Sequence, residues 1–290
     1  MGENLRGWSL AKTEAKGGTG NWAAFKLPLE VVHRAAEHWR AEVGGVRKLW
    51  LCWNINSRWC LLQQKLVSEV GWIPVVGWDP NCGDGRPRLL APGAIVIDFN
   101  EQLRLPALFM HFPLEFAFLW AHKLAFWHSD LLLTRAQMAE VSTLFDSLDD
   151  GEVAAVYSYG GLRNLLRPKS HRYFELLGCT TATASRDQFE HGCGWWRNIA
   201  HHVNSPSDPQ EVKYRKRLPN EHGIGIRYWE KHYGGRVRAL SERAYARNHF
   251  SVNTVKGYRK GRDKSEEMEI NFDLDRMTRD LGIRDLLADR

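Results

Sequence analysis

Apolar residues recur at helical spacing across residues 27–43, LPLEVVHRAAEHWRAEV, where Leu29, Val32, Ala35, Ala36 and Trp39 share one stripe and Gly44 and Gly45 end it. RKLWLCWNI (47–55) is a nearly unbroken apolar run of strand length, the pattern of a strand covered on both faces. Polar NS then opens a second amphipathic stretch, with Asn56 or Ser57 as N-cap, Trp59, Leu62, Leu66 and Val70 on one stripe and Gly71 at its end. WIPVVGWD (72–79) reads as the next strand, its Pro74 near the start where a missing N–H is tolerated. These segments predict a β-α-β unit with parallel pairing and a right-handed crossover.

The alternation continues. AIVIDF (94–99) predicts a third strand, PLEFAFLWAH (113–122) a helix, KLAFWHSDLLL (123–133) a buried strand, TRAQMAEVSTLFDSL a helix capped by Thr134, and GEVAAVYSY (151–159) another strand. Such alternation predicts an α/β fold with a mostly parallel sheet, whose ligands bind outside the carboxyl ends of the strands. Within 123–133 the apolar run carries His128, Ser129 and Asp130, which are costly to bury. Read as strand, it points His128 and Asp130 to one face and Ser129 to the other, which excludes a local Ser-His-Asp triad. A histidine and a carboxylate remain, side by side where the crevice opens.

Composition narrows the partners less than the pattern does. The chain has 290 residues, enough for a full core, and a formal charge of +6, which favours anionic ligands without choosing among them. Its five cysteines include no C-x-x-C pair and read as free thiols in a reducing, cytoplasmic setting. Residues 1–22 read as a polar, Gly-rich tail, and the longest apolar stretch, 105–127, is broken by prolines and charges, so no transmembrane segment is expected. His191, Cys193, His201 and His202 lack the paired spacing of structural zinc ligands. The basic run KYRKR (213–217) is the strongest positive patch, suited to phosphates or to solvent. Neither GxGxxG nor GxxxxGK[ST] occurs, which counts against a dinucleotide or P-loop site.

Taken in order, several segments resemble the nucleotide-sugar-dependent glycosyltransferases of the GT-A fold. LCWNINSRWCLLQQKLVSEV is similar to that family's first strand, polar loop and helix, and VVGWDP to its second strand with the terminal acid, here Asp79. HKLAFWHSDLLLTRAQMAEVSTLFDSL resembles the strand, DxD motif and helix that hold metal and diphosphate, with His128 in place of the first Asp. YFELLGCTTATASRDQFEHGCGWW (173–196) resembles the acceptor-side strand, short helix and Gly-Gly-Trp-like turn, here Gly192, Gly194 and Trp195. NEHGIGIRYWEKHYGGRVRALSERAYARNHF (220–250) resembles the acidic pair, helix, strand and late histidine, with Glu221 on the first acid, His222 replacing the second and His249 in the late position.

The resemblance implies a GT-A-like (Rossmann-like) mostly parallel sheet flanked by helices, with a C-terminal helical tail. One catalytic domain would span 23–256, its nucleotide-binding half about 46–160 and its acceptor half about 161–256, followed by a charged connector and helix over 257–290. It implies transfer of a sugar from a nucleoside diphosphate donor, UDP-sugar foremost, to a glycan, a small molecule or a nucleic acid. Mn²⁺ or Mg²⁺ would be held by Asp130 and His249, because a hard cation on phosphate oxygens needs few protein ligands. Asn54, Asn56, Arg58, Asp79, His128 and Asp130 would face the nucleotide, Glu221 and His222 would serve catalysis, and Trp195 and Trp196 would stack on the acceptor. The sequence leaves two alternatives open: a non-catalytic nucleic-acid or protein-binding module with a degenerate site, and a nucleotidyltransferase.

Overall fold

The computed structural model describes residues 29–104, 108, 110–157, 173–191, 193–195, 223–250 and 264–287. Helix α1 (Leu29–Glu42) precedes β1 (Leu49–Trp53), α2 (Ser57–Glu69), β2 (Ile73–Trp78) and β3 (Ile95–Asp98). Short helices α3 (His111–Glu115) and α4 (Ala117–Trp120) lead into β4 (Lys123–Trp127), α5 (Arg135–Asp146) and β5 (Glu152–Tyr157). The later elements are β6 (Tyr173–Thr181), α6 (Ala182–Glu190), α7 (Ile224–His232), β7 (Arg236–Ser241), α8 (Glu242–Tyr245), α9 (Lys264–Asn271) and α10 (Leu274–Asp280).

The strands form one seven-stranded sheet in the order β3-β2-β1-β4-β6-β5-β7. β6 runs antiparallel to both its neighbours, and every other pairing is parallel. The fold is thus α/β with a mostly parallel, helix-flanked sheet. β1 is buried along its whole length, as its unbroken apolar run requires. Gly77 in β2 is needed for packing: a Cβ there would come within 2.8 Å of both Phe99 and Trp53.

Capping chemistry sets the helix starts. The Asn56 side chain accepts from the backbone N–H groups of Arg58 and Trp59, and Thr134 forms a complete capping box with Gln137. Gly44 and Gly45 follow α1 with φ of 59° and 74°, a region that favours glycine. Phe116, with φ −115° and ψ 18°, divides the helix expected over 113–122 into α3 and α4. Residues 274–287 return to the main core through Leu274, Met277, Ile283 and Leu286. Among the described residues, no helix is long and apolar enough to cross a membrane.

The segment 123–133 departs from its expected single strand. β4 ends at Trp127, and a turn follows in which Leu131 N–H bonds to the His128 carbonyl at 3.1 Å. On one side the ladder runs out first: pairing with β1 ends at Phe126, while pairing with β6 reaches Trp127. Beyond it, the buried side-chain amide of Gln63, from α2, donates to the carbonyls of His128 and Leu131 at 2.7 and 2.8 Å. Strand alternation therefore does not govern residues 128–130, and Ser129 does not sit on an opposite face. Its hydroxyl and the Asp130 carboxylate both meet Lys264.

Candidate metal centre

Because β1, β2 and β4 are parallel, their carboxyl ends deliver Asn54, Asp79 and His128 to one edge of the sheet. At that edge the turn after β4 is joined by a distant segment. Leu131 and His249 form an antiparallel bridge, flanked by Phe250 N–H to Asp130 O at 2.9 Å and Leu132 N–H to Asn248 O at 3.2 Å. Gln137 fastens the same segment: its side chain accepts from Asn248 Nδ2 at 3.0 Å and donates to Ala244 O at 2.8 Å. The residue that completes the cap of α5 thus also positions the segment carrying His249.

Three side chains converge as a result. His128 Nδ1 lies 3.2 Å from His249 Nε2, which lies 3.2 Å from Asp130 Oδ1, and the third side, His128 Nδ1 to Asp130 Oδ1, is 3.6 Å. A cation with bonds of about 2.1 Å sets ligands on neighbouring octahedral corners about 3 Å apart, so ring rotations of a few tenths of an ångström would bring the triangle to that spacing. Two imidazoles and a carboxylate, with other coordination positions open to water or substrate, could hold a divalent cation.

Asp130 is 1 % exposed. Burial alone would push its carboxyl up, but Lys264, 3.2 Å from Oδ2, and the two imidazoles hold it well below the usual carboxylate range. Burial likewise pushes His128 down, yet the neighbouring Asp130 and Glu175 carboxylates prevail and raise it to about 9. In the metal-free protein His128 is therefore an imidazolium at neutral pH, and a cation must displace its proton.

The other expected site residues have varied surroundings. Asn54 donates to Gly85 O at 2.8 Å and is buried, while Asn56, besides capping α2, donates to Ser265 Oγ at 3.0 Å and Glu269 Oε1 at 2.8 Å. Arg58 is half-exposed and pairs with Glu269 at 3.1 Å. Asp79 is fully buried; its carboxylate accepts from Asn81 and Asn100 side chains and from the backbone N–H groups of Asn81 and Leu108, and burial raises its pKa. Those bonds secure the loops after β2 and β3, and Asp79 is not one of the three convergent ligands.

Trp195 is also fully buried, edge-on to Phe126 at 4.7 Å, so it packs in the core and presents no face for stacking on an acceptor. Glu221, His222 and Trp196 lie outside the described residues, as do the KYRKR run, His201 and His202. Sequence reading missed Gln63, Gln137, Glu175 and Lys264. Of these, Glu175 carried a signal, as the one charged residue in the strand YFELLGCTT.

No family model, curated protein or solved structure matches the chain.

Proposed function

We propose that the protein is a metal-dependent glycosyltransferase that takes a sugar from a nucleoside diphosphate donor, with Mn²⁺ held by His128, Asp130 and His249. The observation that carries this reading is the convergence of those three side chains at the carboxyl end of β4, although His249 is 119 residues from Asp130. Parallel α/β sheets bind ligands at that edge. A cation there would meet diphosphate oxygens through its open positions and stabilise the departing nucleotide, while Asp130, its charge secured by Lys264, anchors it. The GT-A architecture, the UDP moiety and a base role for Glu221 or His222 belong to the same proposal. The donor set refines the choice of ion: two imidazoles suit Mn²⁺ better than Mg²⁺, which prefers oxygen.

The test is a thermal-shift and hydrolysis screen of nucleotide sugars with and without Mn²⁺. A UDP-sugar should stabilise the chain only when Mn²⁺ is present, and Asp130→Asn should abolish both that shift and turnover. Stabilisation by no nucleotide sugar under either condition counts against the reading. The donor set also favours a second one. Two histidines and one carboxylate are the ligands of mononuclear non-haem iron sites. Fe²⁺-dependent oxygen uptake, with no effect of nucleotide sugars, would select that chemistry instead.

A further inference from the structure

His128 lies between two buried carboxylates, and each faces a different ring nitrogen. Nδ1 points into the triangle, toward His249 Nε2 at 3.2 Å and Asp130 Oδ1 at 3.6 Å. Nε2 points away from it, toward Glu175 Oε1 at 3.8 Å. Glu175 is 6 % exposed and stands on β6, whose register against β4 runs through Phe126 opposite Gly178 and Trp127 opposite Leu177. The ladder continues one step further, with His128 N–H donating to Leu176 O at 2.9 Å. Both backbones are therefore fixed where the ring meets the carboxylate. Glu175 is the one charged residue of β6, whose other residues are apolar, glycine or threonine, and a buried carboxylate is stable only when it is paired.

We propose that Glu175 is the positioning carboxylate of the metal centre, holding the Nε2–H of His128 so that the ring presents its Nδ1 lone pair to the cation. The proposal rests on the metal reading above. A neutral imidazole carries one N–H and one lone pair, so binding a cation through Nδ1 requires the proton on Nε2 and an acceptor for it. Metal-bound histidines commonly give that second N–H to a carboxylate, which fixes tautomer and ring orientation. The present 3.8 Å separation is that of an ion pair, and a swing of the Glu175 carboxyl by about 1 Å closes it to a hydrogen bond. Glu175 lies behind the ring relative to Asp130 and His249, so it orients a ligand and does not join the coordination set.

Two measurements test this on the full chain. In calorimetric titration with Mn²⁺, Glu175→Ala should bind about 10- to 100-fold more weakly than wild type. Glu175→Gln, whose side-chain carbonyl still accepts from Nε2–H, should recover part of that loss. In long-range ¹H–¹⁵N spectra of the wild-type chain loaded with diamagnetic Zn²⁺, His128 should show a protonated Nε2 and a metal-bound Nδ1. That readout needs no variant, so it decides the matter even if Glu175→Ala does not fold. A metal-bound Nε2, or a folded Glu175→Ala that binds Mn²⁺ within twofold of wild type, overturns the role of Glu175 alone. Failure of the wild-type chain to bind either ion overturns the metal reading, and this proposal with it.

Discussion

Lys264 Nζ sits 3.2 Å from Asp130 Oδ2 and 3.2 Å from Ser129 Oγ, so the first residue of α9 supplies the counter-charge for a carboxylate that is 1 % exposed. Asp130 thereby divides its two oxygens: Oδ1 faces the imidazoles and Oδ2 faces the ammonium. Replacing the lysine removes a partner from a buried charge and also removes a positive charge beside the cation position. Lys264→Met should lower the stability of the metal-free chain by roughly 1–3 kcal/mol in urea unfolding. It should also tighten Mn²⁺ binding, because less repulsion opposes the ion. Unchanged stability together with weaker Mn²⁺ binding would show that Lys264 does not act as this counter-charge.

The pH dependence follows from His128. Its folded pKa is about 9, above the ordinary 6.5, so the stability it contributes is complete below about pH 6.5 and is lost as pH rises through about 9. Urea unfolding of the metal-free wild type between pH 6 and 10 should therefore show a decline that His128→Asn lacks. Mn²⁺ binding should change in the opposite sense, tightening as pH rises toward 9, because proton and cation compete for the same ring. Parallel stability profiles for wild type and His128→Asn would rule out that coupling.

Gln137 joins the cap of α5 to the segment before His249. Gln137→Ala should cost about 1 kcal/mol through the lost cap. It should also weaken Mn²⁺ binding, although Gln137 is not itself a candidate ligand. Urea unfolding and calorimetry on the same preparation check both effects, and lost stability with unaltered binding would restrict Gln137 to capping.

Much of the fold was legible because local patterns and tertiary packing agree. The apolar runs at 49–53, 73–78 and 95–98 became parallel strands, and Asn56 and Thr134 became the caps expected of them. The site was legible only in part. Asp130 and His249 converge, and His128 stands with them as a third candidate ligand. The turn that permits this depends on Gln63, a helix residue whose amide reaches two carbonyls on a neighbouring element, and no periodicity in 123–133 encodes it. Lys264 and Glu175 reach the centre from segments far along the chain, so spacing around His128 could not reveal them. Trp195 looked suited to stacking, yet the contact with Phe126 shows that its apolar area serves the core.

The cysteines offer a check on packing away from the candidate metal centre. Cys52, Cys60, Cys82, Cys179 and Cys193 are all buried, and none of them forms a disulfide among the described residues. Burial pushes the Cys60 and Cys82 thiols up to about 12 and about 11, which suppresses their thiolates at neutral pH. An aromatic disulfide reagent should find no fast-reacting thiol in the native chain and all five after denaturation. A full equivalent of rapid native reaction would contradict this packing.

The most direct test of the central claim is a calorimetric titration of the purified chain with Mn²⁺, beside Asp130→Asn and His249→Ala. The account predicts one ion bound per wild-type chain and affinity lower by about tenfold or more in each variant, with native circular dichroism retained. A wild-type chain that binds no Mn²⁺, or variants that bind it as tightly as wild type, would contradict the assignment of His128, Asp130 and His249 as a metal centre.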